Sequence, residues 1–263
     1  MKAWGFRSRL ALLGLMFMAT GCVQHAGPEA IALLDRGRAA LDANDNHVVV
    51  AVTSEFLTQN ARTVEAEVAY YLRGLARWRI GQADRAVNDL QIAADRASSG
   101  QIHFKTVKAL GDMSLATGDA NRAVTFYRQA LEEADANAPN VDEIRYGLGC
   151  SLQRLGNWWE ADAQFDRLLH EFPKGKAATF ARRRIRAKAW TLRIAQYARK
   201  DLADSESARL SQLGLDTTVR PVTVNDQLLF LVESGRYNAY AQAESDAAKA
   251  RRFAADAPIV PTR

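Results

Sequence analysis

Cysteine is nearly absent: Cys22 and Cys150 are the two in 263 residues, too few for a disulfide-stapled fold. The sequence contains no glycine-rich phosphate loop, no His-Glu-x-x-His, no paired cysteines at metal spacing and no serine elbow. Its four histidines, His25, His47, His103 and His170, are scattered singly along the chain, so no metal ligand set, cofactor or catalytic group is expected. Asp42, Asn44 and Asn46 have the alternation of a calcium loop but lack its glycine and closing glutamate, and they read as a turn. Apolar runs long enough to cross a bilayer are also missing, because the longest stretch, Leu10 to Ala19, is about half a span. With 48% hydrophobic and 25% charged residues the chain is neither a polytopic membrane protein nor a disordered one.

Another absence is local. No acidic residue precedes Cys22, while Lys2, Arg7 and Arg9 lead into the apolar run, which is the layout of a secretory signal. The run ends in Ala19-Thr20-Gly21-Cys22, which resembles the lipobox of bacterial lipoproteins, apart from Ala19 where that family usually has leucine. The resemblance implies cleavage after residue 21, lipidation of Cys22 and a short tether over 22–27. With Val23 in place of an inner-membrane retention aspartate, it implies an outer-membrane protein facing the periplasm. An ordinary signal peptide and an uncleaved anchor are the alternatives.

What is present is a repeat. Gly37, Gly74, Gly111 and Gly149 recur at 37, 37 and 38 residues within helical apolar spacing. Gly81, Gly118 and Gly156 each follow seven residues after a member of that series, where one helix stops and the next starts. Ala86, Ala123 and Ala161 come next, then Leu90, Tyr127 and Phe165 four positions on. The pattern resembles the tetratricopeptide repeat, most closely over 141–173, where Leu148, Gly149, Leu152, Gly156, Ala161, Phe165 and Pro173 match. The period exceeds the usual one, so longer turns between units are expected. The unit around Gly37 is degenerate, with Val49 at the small position and β-branched residues over Val48 to Val52. The resemblance places a helical stack over 28–187 with a concave groove at Tyr71, Trp78, Arg79, Lys105, Lys108, Asp112, Tyr146 and Arg154, with Cys150 as a small packing residue. Aromatic and basic residues together suit an extended or acidic peptide, so a protein partner is expected; packing of the aromatics is the alternative.

Beyond a helix at Ala177 to Lys188 the period changes. Trp190, Leu192 and Ile194 alternate with Thr191, Arg193 and Ala195, as in a strand. A helix from Arg199 to Leu213, strands over Leu215 to Val224 and Gln227 to Ser234 around an Asn225-Asp226 turn, a helix from Ala239 to Ala255 and a strand at Pro258 to Val260 follow. Pro221 suggests a bulge or an edge strand. The expected fold is therefore α+β: a helical solenoid, then a ferredoxin-like βαββαβ sheet over 188–263 with both helices on one face. Leu192 to Tyr197 and Leu231 to Tyr237 resemble the first and third strands of the SPOR (sporulation-related repeat) domain. Both keep the closing aromatic, and the second keeps its glycine. Arg193, Ala195 and Leu231 replace that family's Gln, Gly and Arg. The resemblance implies a peptidoglycan-binding module, with Thr191, Arg193, Tyr197, Glu233 and Tyr237 as candidate glycan contacts on the open sheet face; a protein-binding module is the alternative.

The formal charge of +5 divides unevenly. Loss of residues 1–21 leaves +2, and Lys174 to Lys200 holds ten positive residues and no negative one, so the remainder carries −8. This basic stretch either meets an anionic partner or pairs with acidic residues such as those around Glu132, Glu133 and Asp135. Nucleic acid is not expected for a secreted protein. The whole reads as a non-catalytic outer-membrane lipoprotein scaffold that binds protein and peptidoglycan in wall remodelling or division. The alternative is a scaffold of outer-membrane assembly, secretion or pilus biogenesis.

Overall fold

The computed structural model describes residues 24–98, 100–134, 138–252 and 257–262; Cys22, the signal segment and Asp135 lie outside them. Eight helices pair in chain order as α1 (Pro28–Asp42) with α2 (Asn46–Asn60), α3 (Ala66–Arg79) with α4 (Ala83–Arg96), α5 (Gly100–Ala116) with α6 (Ala120–Glu133), and α7 (Val141–Arg154) with α8 (Trp158–Glu171). A ninth, α9 (Lys176–Arg184), lies against α7 and α8 without a pairing helix after it.

Within each pair the turn is three residues long, while the links between pairs vary and absorb the long period. Gly81, Gly118 and Gly156 hold these turns at φ between +80° and +89°, and Asn44 takes that role in the first pair at φ 59°. The other glycine series is there for space. A Cβ on Gly74, Gly111 or Gly149 would lie 2.7, 2.9 or 2.4 Å from the side chains of Leu90, Tyr127 and Phe165, so these buried residues reach the backbone of the facing helix. In the degenerate first pair the Gly37 position has ordinary clearance, 3.4 Å to Thr53 and Val52.

A buried ion cluster ties the early helices. Asp89 on α4, 1% exposed, accepts from Arg73 Nε and Nη2 at 2.9 and 2.8 Å and from Arg77 Nη1 at 2.6 Å. Arg73 also donates to Ser54 of α2. Nothing in the repeat spacing singled out these residues.

The chain enters α1 already fastened. Gln24 O accepts the Val64 amide at 3.1 Å, the Ala26 amide donates to Glu65 Oε2 at 3.0 Å, and His25 Nδ1 sits 2.8 Å from Glu65 Oε1. Burial raises the Glu65 pKa, but the bonds from His25 and the Ala26 amide outweigh it and hold it at about 2. A carboxylate with a depressed pKa stabilises the fold above its ordinary value of 4.5 and ceases to as the pH falls through the folded value. Acidification from pH 5 to 2 should therefore release residues 24–27, read as movement of the Ala26 amide resonance toward its random-coil position.

After α9 the chain forms β1 (Ala189–Tyr197), α10 (Lys200–Gln212), β2 (Thr217–Val224), β3 (Gln227–Tyr237), α11 (Tyr240–Ala250) and β4 (Ile259–Thr262). The sheet order is β2-β3-β1-β4 with every pair antiparallel, so Pro221 sits on an edge strand. Both helices cover one face, where Trp190, Leu192, Val232, Ala203, Leu210, Ala243 and Ala247 form the core.

Several boundaries differ from the sequence expectation. α9 stops at Arg184 rather than Lys188 because Ile185 turns extended and Arg186 adopts φ 65°, its amide donating to Asp162 Oδ1 at 2.8 Å. β3 continues to Tyr237, and α11 ends at Ala250. Ala195, expected on the open face, packs toward the helices, because a register irregularity between Arg193 and Ala195 breaks the alternation.

Candidate functional site

The groove residues fall into two groups. Tyr71 and Trp78 of α3 are half-buried against the Leu110 and Met113 cluster, and burial pushes the Tyr71 phenol up in pKa. Arg79 is exposed and donates to Leu41 O at 3.2 Å; Lys105 is half-buried. Lys108 lies 2.9 Å from Asp112 Oδ2 and 3.0 Å from Glu143 Oε2, linking α5 to α7. Burial lowers its pKa, but these two carboxylates reverse the shift and raise it. Asp112 also accepts from Tyr127 Oη at 2.7 Å. Within this first group Lys108 and Asp112 form a connected polar cluster with Tyr127 and with Glu143, which the sequence does not single out.

The second group lies at the far end. Tyr146 sits between Phe165 and Phe180, ring centroids 6.1 and 6.0 Å away, and burial raises its phenol to about 12. Cys150 is buried and its thiol raised by burial, as suits a packing residue. Arg154 is not an open groove residue. It donates to Leu115 O, and its guanidinium stands 4.8 Å from the Tyr240 ring on α11.

Arg154 thereby belongs to a junction between the stack and the sheet. Trp190 at the start of β1 is 1% exposed, 5.5 Å from the Trp158 ring of α8 and 4.8 Å edge-on from Tyr240. Its indole Nε1 donates to Gln153 O at 3.3 Å. Arg184 Nη1 donates to Gln153 Oε1 at 3.0 Å and stacks over Trp190 at 5.8 Å. Of the ten basic residues, Arg182, Arg184, Arg193, Arg199 and Lys200 are engaged locally, Arg182 with the Pro173 carbonyl and the last two with Asp201 and Asp204. Of the acidic residues offered as the alternative partners, Glu133 bonds His103 and Gln129.

On the sheet, cross-strand partners share a face. Val219 and Val232 face the helices, so the neighbouring pairs Thr218–Glu233 and Arg220–Leu231 face the other way, with Arg193 opposite Glu233 on β1. Arg220 grips Glu233 through two bonds, 2.9 and 3.1 Å, and Arg193 Nε lies 3.9 Å away on the other side. The Glu233 bond is the leading cause of a raised Arg220 pKa. Thr191 Oγ1 donates to the carbonyls of Ser234 and Gly235 at 3.2 and 3.0 Å. Thr191, Asp216, Thr218, Arg220, Glu233 and Arg236 line an open cleft of about 320 Å³ on this face.

Of the five sequence candidates, Thr191 and Glu233 line this cleft and Arg193 lies beside Glu233 on the same face. Tyr197 and Tyr237 do not: both pack against the helix-side core, and the Tyr237 hydroxyl turns to Asp246 of α11. The shift in register between Trp190 and Leu192 and the left-handed Gly235 at φ +72° carry Tyr237 around. Arg220, unnoticed in sequence, is the added member. It stands across from Leu231. Gly235 cannot carry a side chain, since a Cβ would fall 2.1 Å from the Tyr237 ring. Gly235→Ala should cost about 2 kcal/mol or more through strain and overlap, seen as a drop in the urea midpoint.

Among the described residues no group of His, Cys, Asp and Glu is placed to hold a metal, and no helix is long and apolar enough to cross a membrane. Residues 187–260 match the SPOR domain family. No curated protein matches the sequence. Among solved structures, a tetratricopeptide repeat protein from Parabacteroides merdae ATCC 43184 aligns over 59% of this chain and 58% of its own at 17% identity and a TM-score of 0.51. MamA AMB-1 aligns over 58% and 80% at 22% identity and a TM-score of 0.47. YrrB, a TPR protein with an unusual peptide-binding site, aligns over 58% and 75% at 18% identity and a TM-score of 0.46. The chain is a tetratricopeptide-like helical solenoid carrying a C-terminal SPOR domain.

Proposed function

We propose that this protein is a non-catalytic scaffold of the bacterial envelope, lipidated at Cys22, held on the periplasmic side of the outer membrane, and active in wall remodelling or division. Residues 188–263 bind peptidoglycan glycan strands, and the solenoid over 28–187 holds a protein or peptide along the strip of Tyr71, Lys108, Asp112, Glu143 and Tyr146. The observation that carries this reading is the uncovered sheet face of a domain matching the SPOR family, with Arg193, Arg220 and Thr191 set around Glu233. The guanidinium groups, with the exposed Thr218 hydroxyl and Asp216 carboxylate of the same cleft, complement the hydroxyls and amides of an aminosugar strand.

The chain from residue 24 should sediment with purified wall sacculi, and more so after their stem peptides are removed. Replacing Arg193 and Arg220 together by alanine should weaken binding tenfold or more, the scale expected for lost charge-assisted hydrogen bonds. A chain that stays in the supernatant with both preparations would leave the sheet as a protein-binding face and overturn the glycan assignment.

A further inference from the structure

Where the stack passes into the sheet, Lys174, Lys176, Arg183, Arg186 and Lys188 stand exposed, and none of these five side chains has a polar partner among the described residues. The carboxylates of the adjoining helices do not neutralise them. Glu171 is held by Arg145 at 3.0 Å, Asp162 accepts the Arg186 amide at 2.8 Å, and Asp142 lies against Gly175. Asp166, exposed on α8, is followed by the exposed Arg167. Helix chemistry accounts for part of the charge only. Arg183 closes α9, where a cation complements the helix dipole, but Lys176 opens it with no acidic residue in the first turn, which the dipole opposes.

The chain fixes these cations beside the cleft of the sheet. The Lys188 amide donates to Thr262 O at 2.8 Å, and Thr262 lines that cleft together with Thr191. The three steps from Lys188 to Thr191 span at most about 11 Å, and the five from Arg186 at most about 18 Å. The Trp158, Trp190 and Tyr240 contacts lock the stack to the sheet, so α9 and its flanks keep this place.

Resting on the reading of the sheet as the glycan-binding face, we infer that the five cations form a second wall contact, for the carboxylates of the stem peptides on strands that neighbour the one in the cleft. Each stem peptide carries carboxylates at its acidic residues and its terminus, on a flexible arm that reaches away from the sugars. Such an arm matches cations placed beside the cleft rather than within it. Each exposed pair is weak, but five like charges on a rigid surface act together over a screening length of about 8–10 Å. The cleft takes the bare strand and the α9 flank takes the peptide-bearing wall around it.

The test compares the chain from residue 24 with a variant carrying Lys176→Gln, Arg183→Gln and Lys188→Gln. Three materials are used: intact sacculi, intact sacculi whose carboxyl groups have been converted to amides, and isolated peptide-free strands. The parent should hold intact sacculi about fivefold more tightly than the variant, the scale of three exposed charge contacts. That difference should vanish on the amidated sacculi, and also at about 1 M salt, where the screening length is about 3 Å. Both chains should bind peptide-free strands alike, which shows in addition that the variant is folded. A difference of the same size on peptide-free strands would place the cations on the glycan itself, and equal binding of both chains to intact sacculi would leave them a solvated face. Either result overturns the inference while the glycan assignment stands. A parent chain that binds neither intact nor peptide-free material removes that assignment, and the second contact with it.

Discussion

Replacing Trp190 by alanine is expected to cost the protein about 3–5 kcal/mol, the range for truncating a fully buried tryptophan, and to separate its two halves. The indole is 1% exposed and belongs to both bodies: it lies in the sheet core with Leu192 and Ala243, and it meets Trp158 of the stack. Its loss leaves a cavity that neither side can close. It also removes the donor to Gln153 O and the surface on which Arg184 and Tyr240 rest. Urea unfolding of the parent chain should follow one transition by both tryptophan fluorescence and circular dichroism. The variant should show two, with the sheet unfolding first. A single transition at an unchanged midpoint would mean that Trp190 holds nothing together.

Asp89→Ala is the second large effect. Both guanidiniums facing this carboxylate are mostly buried, with 14% and 16% of the Arg73 and Arg77 side chains exposed. Burial already lowers the Arg77 pKa against the opposing pull of Asp89. Removing the one anion leaves two like charges together in a poorly hydrated space, and breaking a buried pair in this way costs about 3–5 kcal/mol. The urea midpoint should fall by more than 1 M at a slope of about 2–3 kcal/mol/M. Asp89→Asn, which keeps the shape and part of the hydrogen bonding, should lose less.

The repeat was legible because its cause is steric and strictly spaced. In the last three pairs a glycine facing a large residue, and another at the left-handed turn, leave a mark that spacing alone reveals. The ion cluster left none, since Arg73, Arg77 and Asp89 occur in one unit only. The junction was invisible for a related reason: Gln153, Trp158, Arg184, Trp190 and Tyr240 come from five separate elements, and no period joins them. On the sheet, strict alternation assigned Thr191 and Arg193 to the open face and would keep Ala195 beside them. It fails at the irregularity after Arg193, which no residue type announces. Tyr197 and Tyr237 were chosen as flat rings for sugar, yet their rings complete the helix-side core. Arg220 carries no signal in the sequence, where only Pro221 marks its strand, whereas the fold sets it across from Leu231 and bonds it to Glu233. The basic run was real as sequence, but five of its charges hold the fold or pair locally, Arg182 through the Pro173 carbonyl, and Lys174, Lys176, Arg183, Arg186 and Lys188 stand exposed around α9 and its flanks.

The most direct measurement is a map of where glycan touches the protein. Peptide-free glycan strands added to the chain from residue 24 should slow amide hydrogen exchange in β1, β2 and β3 around Arg193, Arg220 and Glu233, and shift their side-chain resonances. α10 and α11, on the opposite face, should stay unchanged. Perturbation of the helix face alone, or none at saturating glycan, would contradict the assignment of this sheet as the wall-binding surface.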